Sequence, residues 1–411
     1  MLSFSPACTQ RLDEIISAAV ASNALPALSV AISGVDGPLY SYQKSSKSRL
    51  IDEHTVFWWC SQSKLVTSIA ALQMVEQGKI AFETPVADIL PELANPVIVT
   101  KRDPVTRKIL ATIPAKSAIT FGQLLNHTSG IDYSLDSTAP LSGPLPGLSG
   151  AYTHNYGAED VSKFFKILQG DLPGFPLRFE PGTGFAYSFG TDCVGFIIER
   201  LSGKTLEQYF QDHIFGPLGM SSTTFCLTPE LKERLLSLSV RDGATYWSHP
   251  VVMDLNIDKA RTFLGGVGLY GTVPSFCKLT THLLQLKARH AVTHPLLTAT
   301  SVDCLFTSTL EGPSAATFSS VANSLTPHVN CPPAGAQFSR SLFVNTVNIS
   351  GKRRAYSGSW GGYANTSYFI DPTTGISMMV ATQLSPPLDD AFCKLCDELE
   401  KEVYAAIGSI Q

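Results

Sequence analysis

The apolar positions Leu12, Ile15, Ile16 and Ala19 recur at helical spacing, and two short apolar runs follow, ALSVAISG and PLYSYQ, parted by Val35-Asp36-Gly37. That pattern predicts helix, strand, turn, strand. Beyond a loop rich in Lys and Ser, the stretch 55–60 leads into a helix carrying Leu65, Ile69, Leu72 and Val75 and stopping at Gly78. From about residue 95 to 260, helical segments alternate with long Pro/Gly/Ser stretches, of which STAPLSGPLPGLSGAY (137–152) is the most conspicuous. A loop of that length is expected to be a lid or a disordered insertion. The last third returns to strand-like runs, SLFVNTVNI, TSYFIDP and GISMMVATQ, and closes on a helix from about 389 to 407. Strands at both ends with helices between them predict an α/β (α+β) architecture of two lobes. Residues 1–60 and 260–411 would form the lobe with the sheet, 61–259 a mainly helical inserted lobe, and the active site would lie between them.

Composition narrows the function classes. A net charge of -4 offers no broad attraction for nucleic acid, and the one basic run, 44–49, reads as a solvated loop. No apolar run reaches membrane-spanning length, so neither a nucleic-acid partner nor a membrane is expected. The N-terminus lacks a basic start followed by an apolar core, and the nine cysteines have no regular spacing, which together suggest a reducing, cytoplasmic setting. Cys393 and Cys396 share a segment with Phe392, Leu395, Leu399 and Val403 at helical spacing; they read as packing residues, because no second ligand pair for zinc is present.

An SxxK tetrad on a helix puts a hydroxyl and an amine on one face, where they can share a proton. Three such tetrads occur: Ser41/Lys44, Ser61/Lys64 and Ser275/Lys278. The first lies in a predicted strand, where residues three apart point to opposite faces. Ser275 follows Pro274 at a helix start and reads as an N-cap. Ser61 opens a strongly apolar helix directly after Phe57-Trp58-Trp59, which would set its hydroxyl at a helix N-terminus beside a hydrophobic wall. A cap and a solvated lysine would account for that tetrad taken alone.

The remaining motifs change its meaning. Ser61-Gln62-Ser63-Lys64 is followed, in order, by LLNHTSGI (124–131), PGTGFAYS (181–188), IFGPLGM (214–220), GGVGLYGT (265–272) and SGSWGGYAN (357–365). The set resembles the superfamily of serine β-lactamases, penicillin-binding proteins and family VIII esterases, over nearly the whole chain. Within it the chain is most similar to the lovastatin-type acyltransferase branch of fungal secondary metabolism. The resemblance implies a serine β-lactamase-like fold, an antiparallel sheet flanked by helices with an inserted helical lobe. It also implies Ser61 as nucleophile, Lys64 and Tyr187 as its activating bases sharing one proton, and an oxyanion hole from the backbone N–H groups of Ser61 and Tyr363. Trp360, Gly361 and Gly362 stand where the third motif runs along the site, and with Phe189, Trp59 and Tyr270 they are the expected substrate-binding residues. His127 of the HTSG turn is expected to pack near the lobe junction.

Two positions depart from the pattern. Phe189 replaces the YxN asparagine and Trp360 the third-motif lysine, so the amide and the cation that greet a carboxylate-bearing β-lactam are absent. An apolar cleft for a hydrophobic acyl chain or a polyketide-like alcohol is the expected result, although Phe189 could equally turn into the core. The segments 132–178 and 306–340 are the expected walls of that cleft. The expectation is therefore a serine acyltransferase working through acyl-Ser61 without cofactor or metal. Its donor would be an acyl thioester or ester, with a carrier-protein domain among the candidates, and its acceptor a small hydrophobic alcohol. Ester, thioester or lactone hydrolysis by the same acyl-serine is the alternative, and a non-catalytic binding module the third reading.

Overall fold

The computed structural model describes residues 2–46 and 50–408; residues 47–49 of the basic run lie outside that range. A seven-stranded sheet organises the described chain, in the order Ala336–Phe338, Phe343–Asn345, Ser357–Gly362, Thr366–Asp371, Ile376–Ala381, Ala27–Gly34, Gly37–Ser45. Every neighbouring pair in it is antiparallel. Strand Ala27–Gly34 is buried along its whole length because both faces of the sheet are covered.

Side-chain alternation assigns the two faces. Leu28, Val30 and Ile32 meet the terminal helices, Pro6–Ala21 and Asp390–Gly408, whose stripes of Leu12, Ile15, Ile16 and Leu395, Leu399, Val403 complete that layer. The first of these helices begins where Ser5 caps the Cys8 N–H and Pro6 presets the first turn. The small side chains Ala27 and Ala31 point the other way, into the larger core, and the helix Val273–Lys287 packs on the sheet beside them.

The helix Ser63–Glu76 is buried on nearly all sides, and so is apolar around its circumference rather than amphipathic. It packs on helix Gly190–Ser202, and its few polar groups are satisfied: Thr67 Oγ1 donates to the Gly265 carbonyl at 2.7 Å and Ser63 Oγ accepts from the Leu269 N–H at 3.0 Å.

Several expectations need correction. The region 95–260 is not purely helical: Val97–Arg102 and Ile109–Pro114 form a hairpin, as do Ser239–Asp242 and Thr245–Ser248. These strands alternate too weakly to stand out between loops. Ser275 is not the cap of its helix; Thr272 is, and its Oγ1 accepts from the Ser275 N–H at 3.1 Å. The stretch 137–152 is an ordered wall, pinned where Tyr363 Oη donates to the Pro146 carbonyl at 3.0 Å and Ser385 Oγ to the Pro144 carbonyl at 2.7 Å. Strand Val56–Trp58 pairs antiparallel with Tyr270–Thr272, with Phe57 opposite Gly271.

Candidate active site

Ser61 lies in a tight 3-10 turn, Cys60–Gln62, one step before the long helix rather than inside it. The turn is entered through Cys60 at φ 48, a left-handed conformation costly for a residue with a Cβ. Lys64, in the first turn of the helix, reaches back to Ser61. Its Nζ lies 3.3 Å from Ser61 Oγ, 2.9 Å from the Gly266 carbonyl and 3.4 Å from Tyr133 Oη. An ammonium has three N–H bonds, and these are three acceptors. Burial pushes the Lys64 pKa down, but Tyr133, Tyr187 and the Asp192 carboxylate outweigh it and hold the group above its ordinary value.

Tyr187 sits in the loop before helix Gly190–Ser202, tied to the HTSG turn by the Ala186 N–H, which donates to the His127 carbonyl at 3.0 Å. Gly190 lets the helix start there, since a Cβ would fall 2.4 Å from the Leu124 carbonyl oxygen. Lys64 Nζ lies 4.8 Å from the Tyr187 ring centroid, and the Trp360 indole N–H donates to Tyr187 Oη at 2.9 Å. His127 packs edge-on against Tyr187, Phe185 and Phe338, and burial keeps its pKa well below the ordinary histidine value.

Strand Ser357–Gly362 runs beside the serine turn. A Cβ on Gly362 would fall 2.4 Å from the Trp59 carbonyl oxygen, and one on Gly361 the same distance from that of Thr366. Only glycine allows this approach. It brings the Tyr363 backbone N–H, like that of Ser61, to bear on the Cys60 thiol, whose pKa burial nevertheless raises.

A cavity of about 220 Å³ opens over the serine. Ser61, Tyr133, Tyr187 and residues 360–363 form its reactive side, and Leu148, Leu325, Leu388 and Phe392 its apolar walls. The two segments expected to wall the cleft both contribute, 132–178 through Gly147, Leu148 and Tyr152, and 306–340 through Leu325, Thr326 and His328. Burial lowers the His328 pKa to about 4, so it presents a neutral ring. Its backbone is anchored by buried Lys352, which donates to the His328 carbonyl at 2.6 Å and pairs with Asp397 at 2.8 Å.

Three residues expected to bind substrate are not on this cavity. Phe189 points inward, its ring 4.4 Å from that of Tyr133 and 5.7 Å from that of Phe164. Trp59 stacks edge-on against Phe276, and Tyr270 is spent in the core, donating its hydroxyl to the Met253 carbonyl at 2.8 Å. Conversely, Tyr133, Tyr152 and Asp192 were not singled out from the sequence. Tyr133 Oη lies 2.8 Å from Tyr152 Oη, which donates to Asp192 Oδ2 at 2.7 Å. The one signal for Asp192 was an acid opening the apolar run TDCVGFII.

A buried serine in the turn before a helix, a lysine in the first turn of that helix, a tyrosine beside them and a sheet edge across the cavity make up a candidate serine site of the β-lactamase type. The Beta-lactamase family model matches residues 12–394, and the chain belongs to that family. It is 28% identical to the lovastatin esterase of Penicillium rubens, over 85% of each chain. Identity to the monacolin J acid methylbutanoyltransferase of Aspergillus terreus is also 28%, over 84% of this chain and 81% of that one. A mutant of simvastatin synthase from Aspergillus terreus has the same fold, with a TM-score of 0.77 over 98% of this chain and 96% of that one at 24% identity. No helix among the described residues is long and apolar enough to cross a membrane.

Proposed function

We propose that this chain is a serine acyltransferase that carries an acyl group from a thioester or ester donor to a hydrophobic alcohol through an acyl-Ser61 intermediate. The observation that carries the reading is the approach of the Lys64 ammonium to Ser61 Oγ, at 3.3 Å, on the floor of an apolar cavity. A serine hydroxyl is a weak nucleophile at neutral pH and needs a base and a nearby cation to become a strong one. Lys64 supplies the cation. Tyr187, whose ring centroid lies 4.8 Å from Lys64 Nζ, is the group that takes the serine proton. The Trp360 N–H donates to that oxygen.

In the acylation half-reaction Ser61 Oγ bonds to the acyl carbonyl carbon and its proton passes to Tyr187. The carbonyl oxygen becomes an oxyanion held by the Ser61 and Tyr363 N–H groups. The thiolate or alkoxide leaves with the proton from Tyr187. An acceptor alcohol then retraces the path, giving its proton to Tyr187 and its oxygen to the acyl carbon, and Ser61 is regenerated. The walls Leu148, Leu325, Leu388 and Phe392 suit an apolar acyl or acceptor chain.

Hydrolysis is the second reading, because the chain is as similar to a named esterase as to a named acyltransferase, at 28% identity each. The two share every step up to the acceptor. The deciding experiment follows p-nitrophenol release from p-nitrophenyl acyl esters with and without a lipophilic alcohol and identifies the products. Transfer predicts faster release with alcohol and the alkyl ester as product. Release indifferent to alcohol, with only free acid formed, would make the protein a hydrolase.

A further inference from the structure

The groups behind Lys64 close into a ring of hydrogen bonds. Lys64 Nζ donates to the Gly266 carbonyl at 2.9 Å, and the N–H of the same residue donates to Asp192 Oδ1 at 2.8 Å. Asp192 Oδ2 accepts from Tyr152 Oη at 2.7 Å, Tyr152 meets Tyr133 at 2.8 Å, and Tyr133 Oη returns to Lys64 Nζ at 3.4 Å. Lys64 and Asp192 are both buried, with 3% and 0% of their surface exposed, so neither charge has water to rely on. The ring gives each one its partner.

We propose that Asp192 is the counter-ion of Lys64 and a positioning residue for the reaction, holding the lysine charged and aimed at Ser61 through Tyr152, Tyr133 and Gly266. The polarity of Gly266 carries the argument. Its carbonyl can only accept and faces the amine; its N–H can only donate and faces the carboxyl. That orientation stabilises a cation at one end and an anion at the other, and disfavours the neutral pair. With Asp192 ionised, Tyr152 donates to it, Tyr133 donates to Tyr152, and Tyr133 Oη is left to accept from Lys64. Every polar group in the ring is then satisfied.

The raised pKa of Lys64 agrees, with Asp192 among its causes. Burial raises Asp192 itself, while Lys64, the Tyr152 hydroxyl and the Gly266 N–H favour its anion. Tyr133 and Tyr187 favour the Lys64 cation as well, and Asp192 is the carboxylate among the groups that do so. Burial raises Tyr156, Cys60 and Cys193 and lowers His127, and the Tyr187 ring centroid lies 4.8 Å from Lys64 Nζ.

This inference rests on the acyl-serine reading for its consequence but not for its test, which reads the lysine directly. Protein labelled with 13C at lysine Cε is titrated by NMR, with the Lys64 resonance assigned by its loss in Lys64→Met. In wild type the resonance stays at the ammonium position past the ordinary lysine pKa of about 10.4. In Asp192→Asn it moves to the amine position at a lower pH, and the acylation rate falls with the same midpoint, roughly tenfold per pH unit above it. Tyr152→Phe keeps the packing and cuts the link, so it lowers the midpoint by a smaller amount and serves if Asp192→Asn does not fold. A Lys64 titration unchanged in a folded variant overturns the proposal. So does a variant that only lowers the thermal midpoint, since that is the mark of a merely structural aspartate. Altered lysine titration in a protein that never acylates would leave the counter-ion in place and remove the enzymatic reading instead.

Discussion

Trp360 and Tyr187, 173 residues apart in sequence, are joined by one hydrogen bond, from the indole N–H to the phenolic oxygen at 2.9 Å. The third-motif position thus carries an indole whose N–H is spent on the Tyr187 oxygen. Their rings also pack, with centroids 4.8 Å apart.

Trp360→Phe keeps that packing and deletes only the donor. If Tyr187 takes the serine proton, the acylation burst with a p-nitrophenyl ester should slow roughly tenfold, about 1.4 kcal/mol, while thermal stability changes little. A burst of wild-type rate would free Tyr187 from any dependence on Trp360.

Gly362→Ala should be damaging in two ways. The new Cβ would lie 2.4 Å from the Trp59 carbonyl oxygen, so the strand must retreat from the serine turn. Overpacking of this kind costs about 1–3 kcal/mol, readable in urea unfolding, and the retreat should remove the Tyr363 amide from the oxyanion and abolish the burst. Retained activity with lost stability would place the oxyanion donors elsewhere.

Phe189→Asn restores the family asparagine at a position that is now core. An amide inserted among Tyr133, Tyr152 and Phe164 loses the aromatic packing and finds no built-in partner, with an expected loss of about 3–5 kcal/mol and no gain of β-lactam hydrolysis. Nitrocefin turnover by the stable fraction of this variant would show instead that the side chain reaches the cavity.

Acid should loosen the wall that carries His328. Burial raises the Glu400 pKa, but Arg353, bonded to it at 2.8 Å through two nitrogens, and Lys352 outweigh burial and leave it depressed. A depressed carboxylate adds stability above its unfolded value, here 4.5, and that stability is lost as pH falls through the folded value. Glu400→Gln leaves buried Arg353 without its salt-bridge partner and Lys352 with Asp397 alone, and should cost about 3 kcal/mol at neutral pH. Urea midpoints of the two proteins should therefore differ widely at neutral pH and converge below pH 4.5; a gap independent of pH would contradict the account.

What the sequence revealed was what is written locally. The strands Ala27–Gly34 and Ile376–Ala381 and the helices at both ends follow from periodicity, and the ordered motifs located Ser61, Lys64, Tyr187 and the glycines of strand Ser357–Gly362. Side-chain direction was not legible. Phe189, Trp59 and Tyr270 adjoin motif residues and were expected on the cleft, yet each turns away from it. Nor could local pattern pair Tyr133 with Lys64, or Tyr152 with Asp192, because these contacts are closed by loops folding back over the helix. The Pro-rich stretch 137–152 resembled a mobile lid because its order comes from distant partners, among them Arg107, which donates to the Ser137 and Ala139 carbonyls.

The central claim is a covalent acyl group on Ser61, and intact-protein mass spectrometry reads it directly. Wild type and Ser61→Ala are exposed briefly to a panel of acyl thioesters and p-nitrophenyl esters and weighed. The account predicts a mass increase of one acyl group in wild type, none in Ser61→Ala, and discharge of the adduct when a lipophilic alcohol is added. An adduct that persists in Ser61→Ala, or its absence from wild type with every donor, would contradict it.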